Sequence, residues 1–249
     1  MANKTVRTMR HSLSVRLTHW TIVIEGAFLL ITGFQLNGLF PFGLGENTYG
    51  YHLITAMLFM ATAFVLFYVV VAIRDYKWFA IRRIPYSFRY IIRESLYWFR
   101  MGPKPDEPIK FDATKGEYVE KLIPSVIVVW WAYALMGIVL SLTGLADAYP
   151  ATFGFLFTIF DPLGIALFGV GGLSFALAVH RIVTFLLIAV VAMHLYASFV
   201  YRLLGSITHG YRNEPAVDGG EPKNLPGGPP NLGGVSAGAR PAAVAAKRD

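Results

Sequence analysis

Apolar positions in this chain come in long blocks, not in short periodic runs. Four stretches, residues 15–36, 48–73, 122–145 and 174–204, are almost unbroken in apolar side chains. Each exceeds the roughly 20 residues a helix needs to cross a hydrocarbon layer about 30 Å thick. Inside such a layer the backbone must satisfy its own hydrogen bonds, so each stretch is expected to be a spanning helix. Pro124 falls in the first turn of the third span, where its missing N–H does no harm. A fifth apolar stretch, 151–172, carries Asp161-Pro162 in its middle and five glycines. Glycine weakens a helix and an aspartate is costly at a bilayer centre. This stretch is expected to be a broken hairpin or a segment lying at the membrane edge. The expected fold is an all-α, integral membrane four-helix bundle with an extra apolar, non-spanning segment between the third and fourth spans.

The polar stretches divide the chain further. Residues 37–49 are rich in Gly and Pro and hold no Lys or Arg, as suits a turn. The connection 74–121 is long and basic. Within it, residues 85–102 interleave basic and aromatic side chains. That pattern fits an amphipathic helix in the lipid headgroups, or one docked on a partner subunit. Beyond Tyr211 the chain is mostly Gly, Pro, Ala and Asn, too poor in apolar residues to bury a core. Residues 1–212 are therefore expected to form the membrane domain, and 213–249 a disordered tail.

Composition supports a membrane assignment. The 249 residues are 55% hydrophobic and 15% charged, with mean hydropathy +0.51. Soluble domains carry about 25% charge. The net charge of +7 is concentrated in particular loops. Lys4, Arg7, Arg10 and Arg16 precede the first span, and eleven Lys and Arg lie between Arg74 and Lys121. The other two loops have none. The positive-inside rule then puts both termini and the long connection in the cytoplasm. The basic charge reads as topology, and nucleic acid is not expected as a partner. There is no cysteine. That excludes disulfides, cysteine-held iron–sulfur clusters and covalently attached c-type haem.

Four of the six histidines lie within the spans: His19, His52, His180 and His194. Intramembrane ionisable residues are rare and usually functional. His180 and His194 are 14 positions apart on one helix. At about 100° per residue they fall about 40° short of four full turns, so they share a face. They are separated by about 21 Å along the axis. The alternating direction of the spans places His19 at the depth of His194, and His52 at the depth of His180. Two axial imidazoles per site, with no thiolate and no further ligands, suit six-coordinate haem iron. Zinc would need four ligands in a closed site. Two b-type haems are expected, an inner one on His19 and His194 and an outer one on His52 and His180. Facing helices in a bundle commonly hold cofactors in this way.

Other residues keep two readings. Arg16, Arg181 and Arg202 are placed to meet haem propionates, or to snorkel at helix ends. Glu25 is a proton-path residue, or a neutral carboxyl bonded to a neighbouring helix. Thr32-Gly33 and Thr143-Gly144 allow a close approach, or stop their helices. His11 and His209 are expected to be solvated.

These residues carry a family resemblance. Arg16-Leu17-Thr18-His19-Trp20, followed by Leu30-Ile31-Thr32-Gly33, resembles the first helix of the prokaryotic cytochrome b membrane subunits of formate dehydrogenases and nickel–iron hydrogenases. His180, His194-Leu195-Tyr196 and Gly205-Ser206-Ile207 resemble the last helix, closest to the formate dehydrogenase gamma subunit. The resemblance covers about residues 16–215. It implies a di-haem electron-transfer subunit of the prokaryotic inner membrane. An iron–sulfur subunit and a catalytic dehydrogenase or reductase subunit would be its partners. Electrons would reach a quinone near the inner haem, beside His194. One motif departs: where the formate dehydrogenase type has Asn-x-Gly-Gln-Lys before the third span, this chain has Asp112-Ala113-Thr114-Lys115-Gly116. The same four histidines would also serve a stand-alone cytochrome b561-like quinone or superoxide oxidoreductase.

Overall fold

The computed structural model describes residues 5–105 and 108–217. Four long apolar helices dominate it: α1 (Leu13–Leu36), α2 (Thr48–Ala72), α4 (Pro124–Ala148) and α7 (Gly172–Val200). The shorter helices are α3 (Ile84–Trp98), α5 (Pro150–Phe153), α6 (Phe155–Phe168) and α8 (Leu204–His209). The Ser12 hydroxyl caps α1 by accepting from the Val15 amide at 3.4 Å. Pro124 occupies the first turn of α4, as its position predicts. The fold is an all-α membrane bundle. Helix α1 packs against α2, and α7 packs against both α4 and α6. Few span side chains are fully buried in the isolated chain, as suits helices whose outer faces meet lipid.

The stretch 151–172 is helical and too short to span. It forms α5 and α6, and α6 lies along α7. Pro162 sits inside α6, and the Asp161 carboxylate accepts from the Gly172 amide at the start of α7. An orphan amide of that helix end thus takes the acid that marked the segment as non-spanning. At about 1.5 Å per residue the 14-residue α6 is about 21 Å long, short of a bilayer core. The α6–α7 contact leaves no room at Gly172, where an added Cβ would lie 2.0 Å from the Phe157 carbonyl oxygen. At Gly171 the nearest atom would be 3.7 Å away. Gly172→Ala should therefore cost about 1–3 kcal/mol through overpacking, while Gly171→Ala is tolerated. Thermal unfolding of the two purified variants checks this.

A small sheet caps one end of the bundle, and composition gave no sign of it. Strands β1 (Thr5–Met9), β2 (Lys110–Asp112), β3 (Glu117–Glu120) and β4 (Tyr211–Val217) lie in the order β1-β4-β2-β3. β4 runs antiparallel to β1, with Arg7 opposite Asn213, and parallel to β2. Residues 213–217 are thus ordered, contrary to the disorder expected from 213 onward. Their backbone finds partners from two distant segments, which local composition cannot reveal. The rest of the expected disordered tail, 218–249, lies outside the described residues.

The sheet brings the segments before α1, between α2 and α4, and after α7 to the same end. An even number of crossings follows, which four spans satisfy.

Buried and partly buried charge pairs lock this cap. Arg10 donates to Glu214 at 2.6 Å and to the Lys121 carbonyl at 2.6 Å. Arg212 donates to the other Glu214 oxygen at 2.7 Å. Arg83 pairs with Glu120, and Lys121 with Asp75. The apolar core beneath is Tyr90, Ile109 and Ile123. The amphipathic segment becomes α3, which packs against α4 of its own chain. Ser87, Tyr90 and Glu94 make its buried stripe. The Ser87 hydroxyl donates to the Pro124 carbonyl, and the Tyr201 hydroxyl to Glu94.

Candidate cofactor site

The four span histidines form two facing pairs. α1 starts at the sheet end and α7 finishes there, so His19 and His194 meet near that end. Their ring centroids are 6.5 Å apart. α2 starts at the far end, where α7 also starts. There His52 faces His180, again at 6.5 Å between centroids. The pairing is the one expected from depth, and α7 contributes one ring to each pair.

The spacing can be set against the chemistry. A metal–imidazole bond is about 2.0 Å, and the ring centre lies about 1.1 Å behind the bonding nitrogen. Two imidazoles on opposite sides of one metal therefore sit about 6.3 Å apart between centres. Both observed pairs fit that value. Among the described residues, no group of three or more His, Cys, Asp or Glu is arranged to hold a metal ion. The donor set is two imidazoles per site, which suits the iron of a haem that brings its own four equatorial nitrogens.

The far pair is held by threonines. Thr32 Oγ1 lies 2.8 Å from His52 Nδ1, and Thr143 Oγ1 lies 2.8 Å from His180 Nδ1. The adjacent glycines give the rings space. A Cβ on Gly33 would be 3.4 Å from His52 Cε1, and one on Gly144 would be 3.6 Å from His180 Cε1. Neither glycine stops its helix, since α1 continues to Leu36 and α4 to Ala148. The Thr-Gly pairs are close-approach sites.

The sheet-end pair is surrounded differently. Its neighbours are aromatic: Trp20 lies edge-on 5.6 Å from His19, and Tyr133 6.0 Å from His194. Trp20 closes the Arg16-to-Trp20 motif of the first span, whereas nothing in the sequence singled out Tyr133. Three buried polar atoms lack a partner among the described residues: His19 Nδ1, Arg16 Nε and Glu25 Oε2. Glu25 Oε1 accepts from Thr62 of α2 at 3.0 Å, the helix-to-helix bond expected of one of its two readings.

Arg16 donates to the Thr208 carbonyl at 2.8 Å, beyond the end of α7. Arg202 follows α7 at the sheet end, with a positive φ of 52° and an exposed side chain. Arg181 is exposed beside His180. Arg16 and Arg202 thus belong to the sheet end, and Arg181 to the far end.

His209 is exposed, as expected. His11 is only partly solvated. It is half-buried between α1 and the cap, and burial together with the Arg10 and Lys121 charges pushes its pKa down to about 3, so it is neutral. Asp112, in the stretch that departs from the formate dehydrogenase pattern, is committed to a turn. Its Oδ1 accepts from the Thr114 amide at 2.9 Å and the Thr114 hydroxyl at 2.6 Å.

No curated protein and no solved structure matches the chain. A family profile described as prokaryotic cytochrome b561 matches residues 10–209, which include both histidine pairs and all four spans. Profile and architecture agree on a membrane cytochrome b with an electron-transfer role, and the chain belongs to the prokaryotic cytochrome b561 family.

Proposed function

We propose that this chain is the membrane-anchor subunit of a multi-subunit oxidoreductase. It holds two b-type haems, one between His19 and His194 and one between His52 and His180. It passes electrons between a partner iron–sulfur or catalytic subunit, of formate dehydrogenase or hydrogenase type, and the quinone pool. The observation that carries this reading is the pair of imidazole pairs, each 6.5 Å between ring centres and both served by α7. When bound, a bis-histidine haem supplies one-electron transfer with no open coordination position.

The chain's own residues do the rest. The four imidazoles fix where the two haems sit and how far apart. The apolar spans keep water from both sites. Arg16 and Arg202 at the sheet end, and Arg181 at the far end, are candidate partners for propionate charge. The sheet end carries the basic connection, so we assign it to the cytoplasm, with both termini. The His19/His194 haem is then the inner one. Residues 5–217 act as one membrane unit with its cytoplasmic cap.

Quinone exchange is proposed at the inner side. Supporting it is an apolar cavity of about 270 Å³ between α2, α4 and the segment linking α2 to α3. Phe79, Trp130 and Trp131 line it, and Trp130 is one turn from Tyr133, the neighbour of His194. A quinone reduced there would take its protons from the cytoplasm.

Affinity purification of the chain from its own membranes tests the reading. The expected result is co-purification of an iron–sulfur subunit, with haem reduction by a quinol. Full quinone turnover by a chain that purifies without any partner would support the stand-alone oxidoreductase instead.

A further inference from the structure

We infer that Thr32 and Thr143 are positioning residues that set the proton and the donor strength of the His52/His180 pair, so that this pair holds the haem of lower midpoint potential. The inference rests on the two-haem reading above and adds a direction to it.

Each threonine hydroxyl has one proton to give. That of Thr32 goes to its own helix, to the Phe28 carbonyl at 2.9 Å or the Leu29 carbonyl at 3.1 Å. That of Thr143 goes to the Val139 carbonyl at 2.7 Å or the Leu140 carbonyl at 3.2 Å. Helical threonines commonly bond back to i−4 in this way. What remains on each Oγ1 is a lone pair facing a histidine Nδ1 at 2.8 Å. The histidine must therefore donate from Nδ1. The tautomer is then fixed at both ligands, with the proton on Nδ1 and the lone pair on Nε2.

These bonds are shielded. Thr32 is 0% exposed and Thr143 is 1% exposed. Water cannot replace either hydroxyl, and a low-dielectric setting strengthens the bond. A ligand imidazole that donates its outer N–H is a more basic ligand. A more basic axial ligand favours the ferric state, because that state carries one more positive charge. Both ligands of the far pair are held this way. At the sheet-end pair, His19 Nδ1 is buried with no partner among the described residues. No hydrogen bond to the His194 ring is present among them either. The two sites share a ligand set and differ in what stands behind it. Electrons would run downhill from the far haem to the sheet-end haem, toward the cytoplasmic cap.

Potentiometric titration of the purified protein, with haem content measured alongside, tests this. In Thr32→Val and Thr143→Val the lower of the two midpoints should rise while the higher one stays. The double variant should move it further, and Thr32→Ser and Thr143→Ser should restore it. If the valine variants lose haem, the single-haem variants decide. His194→Ala should retain a haem with the lower midpoint, and His180→Ala one with the higher. An unmoved lower midpoint with both haems present, or the reverse order in the single-haem variants, overturns the inference. A wild-type protein without two haems overturns the reading beneath it instead.

Discussion

His180→Ala will remove one haem from each chain and leave the other spectrally intact. α7 supplies one imidazole to each facing pair, and the pairs lie about 21 Å apart along its axis. Loss of a ligand at one end therefore does not reach the other. His52→Ala should give the same spectrum as His180→Ala, since both break the same pair. His19→Ala and His194→Ala should share a second spectrum. The expected size is about half of the b-type absorbance per single variant, and all of it in the His180→Ala/His194→Ala double variant. Electron transfer between the two faces should stop in every single variant, because each leaves only one stepping point. Reduced-minus-oxidised difference spectra, normalised to protein, check the prediction. Four different single-variant spectra would show that the histidines do not act in these pairs.

The second large effect lies in the cap. Glu214 is fully buried and accepts from Arg10 at 2.6 Å, Arg212 at 2.7 Å and Tyr118 at 3.3 Å. Those partners come from the N-terminal segment, from β3 and from β4 itself. Among the described residues, Glu214→Ala leaves the Arg10 guanidinium buried with only the Lys121 carbonyl. Breaking a buried pair from one side costs about 3–5 kcal/mol. The cap should then open about two to four orders of magnitude more often, at 1.4 kcal/mol per tenfold. The chain has no native cysteine, so Ile109→Cys, at a site 0% exposed, can report opening by pulsed thiol labelling. Labelling at the same rate with and without Glu214→Ala would show that the ion pair does not hold the cap.

What the sequence disclosed follows from the physics of the bilayer. Spans are long and uniformly apolar, so their boundaries were read to within a few residues. Histidines are rare in such surroundings, and depth alone sorted four of them into the two observed pairs. The cap was hidden for the opposite reason. Its strands are three to seven residues long and come from three distant segments. Arg10 and Glu214, which tie it together, are 204 positions apart. No local period reports such a partnership. The Thr-Gly pairs were visible as motifs but ambiguous. A glycine near a helix end reads equally as a stop, and only the position of His52 and His180 across the helix interface shows what the threonines meet. Tyr133 carried no signal, since aromatic residues are common throughout these spans, and Trp20 entered only as the last member of the motif that begins at Arg16.

The central claim is that two pairs of histidines hold two haems. The most direct measurement is haem content per purified chain, with the redox spectrum of the same sample. The account predicts two extractable b-type haems per chain, both six-coordinate and low-spin in the ferric form. A single haem, a colourless protein, or a high-spin haem with an open position would contradict it.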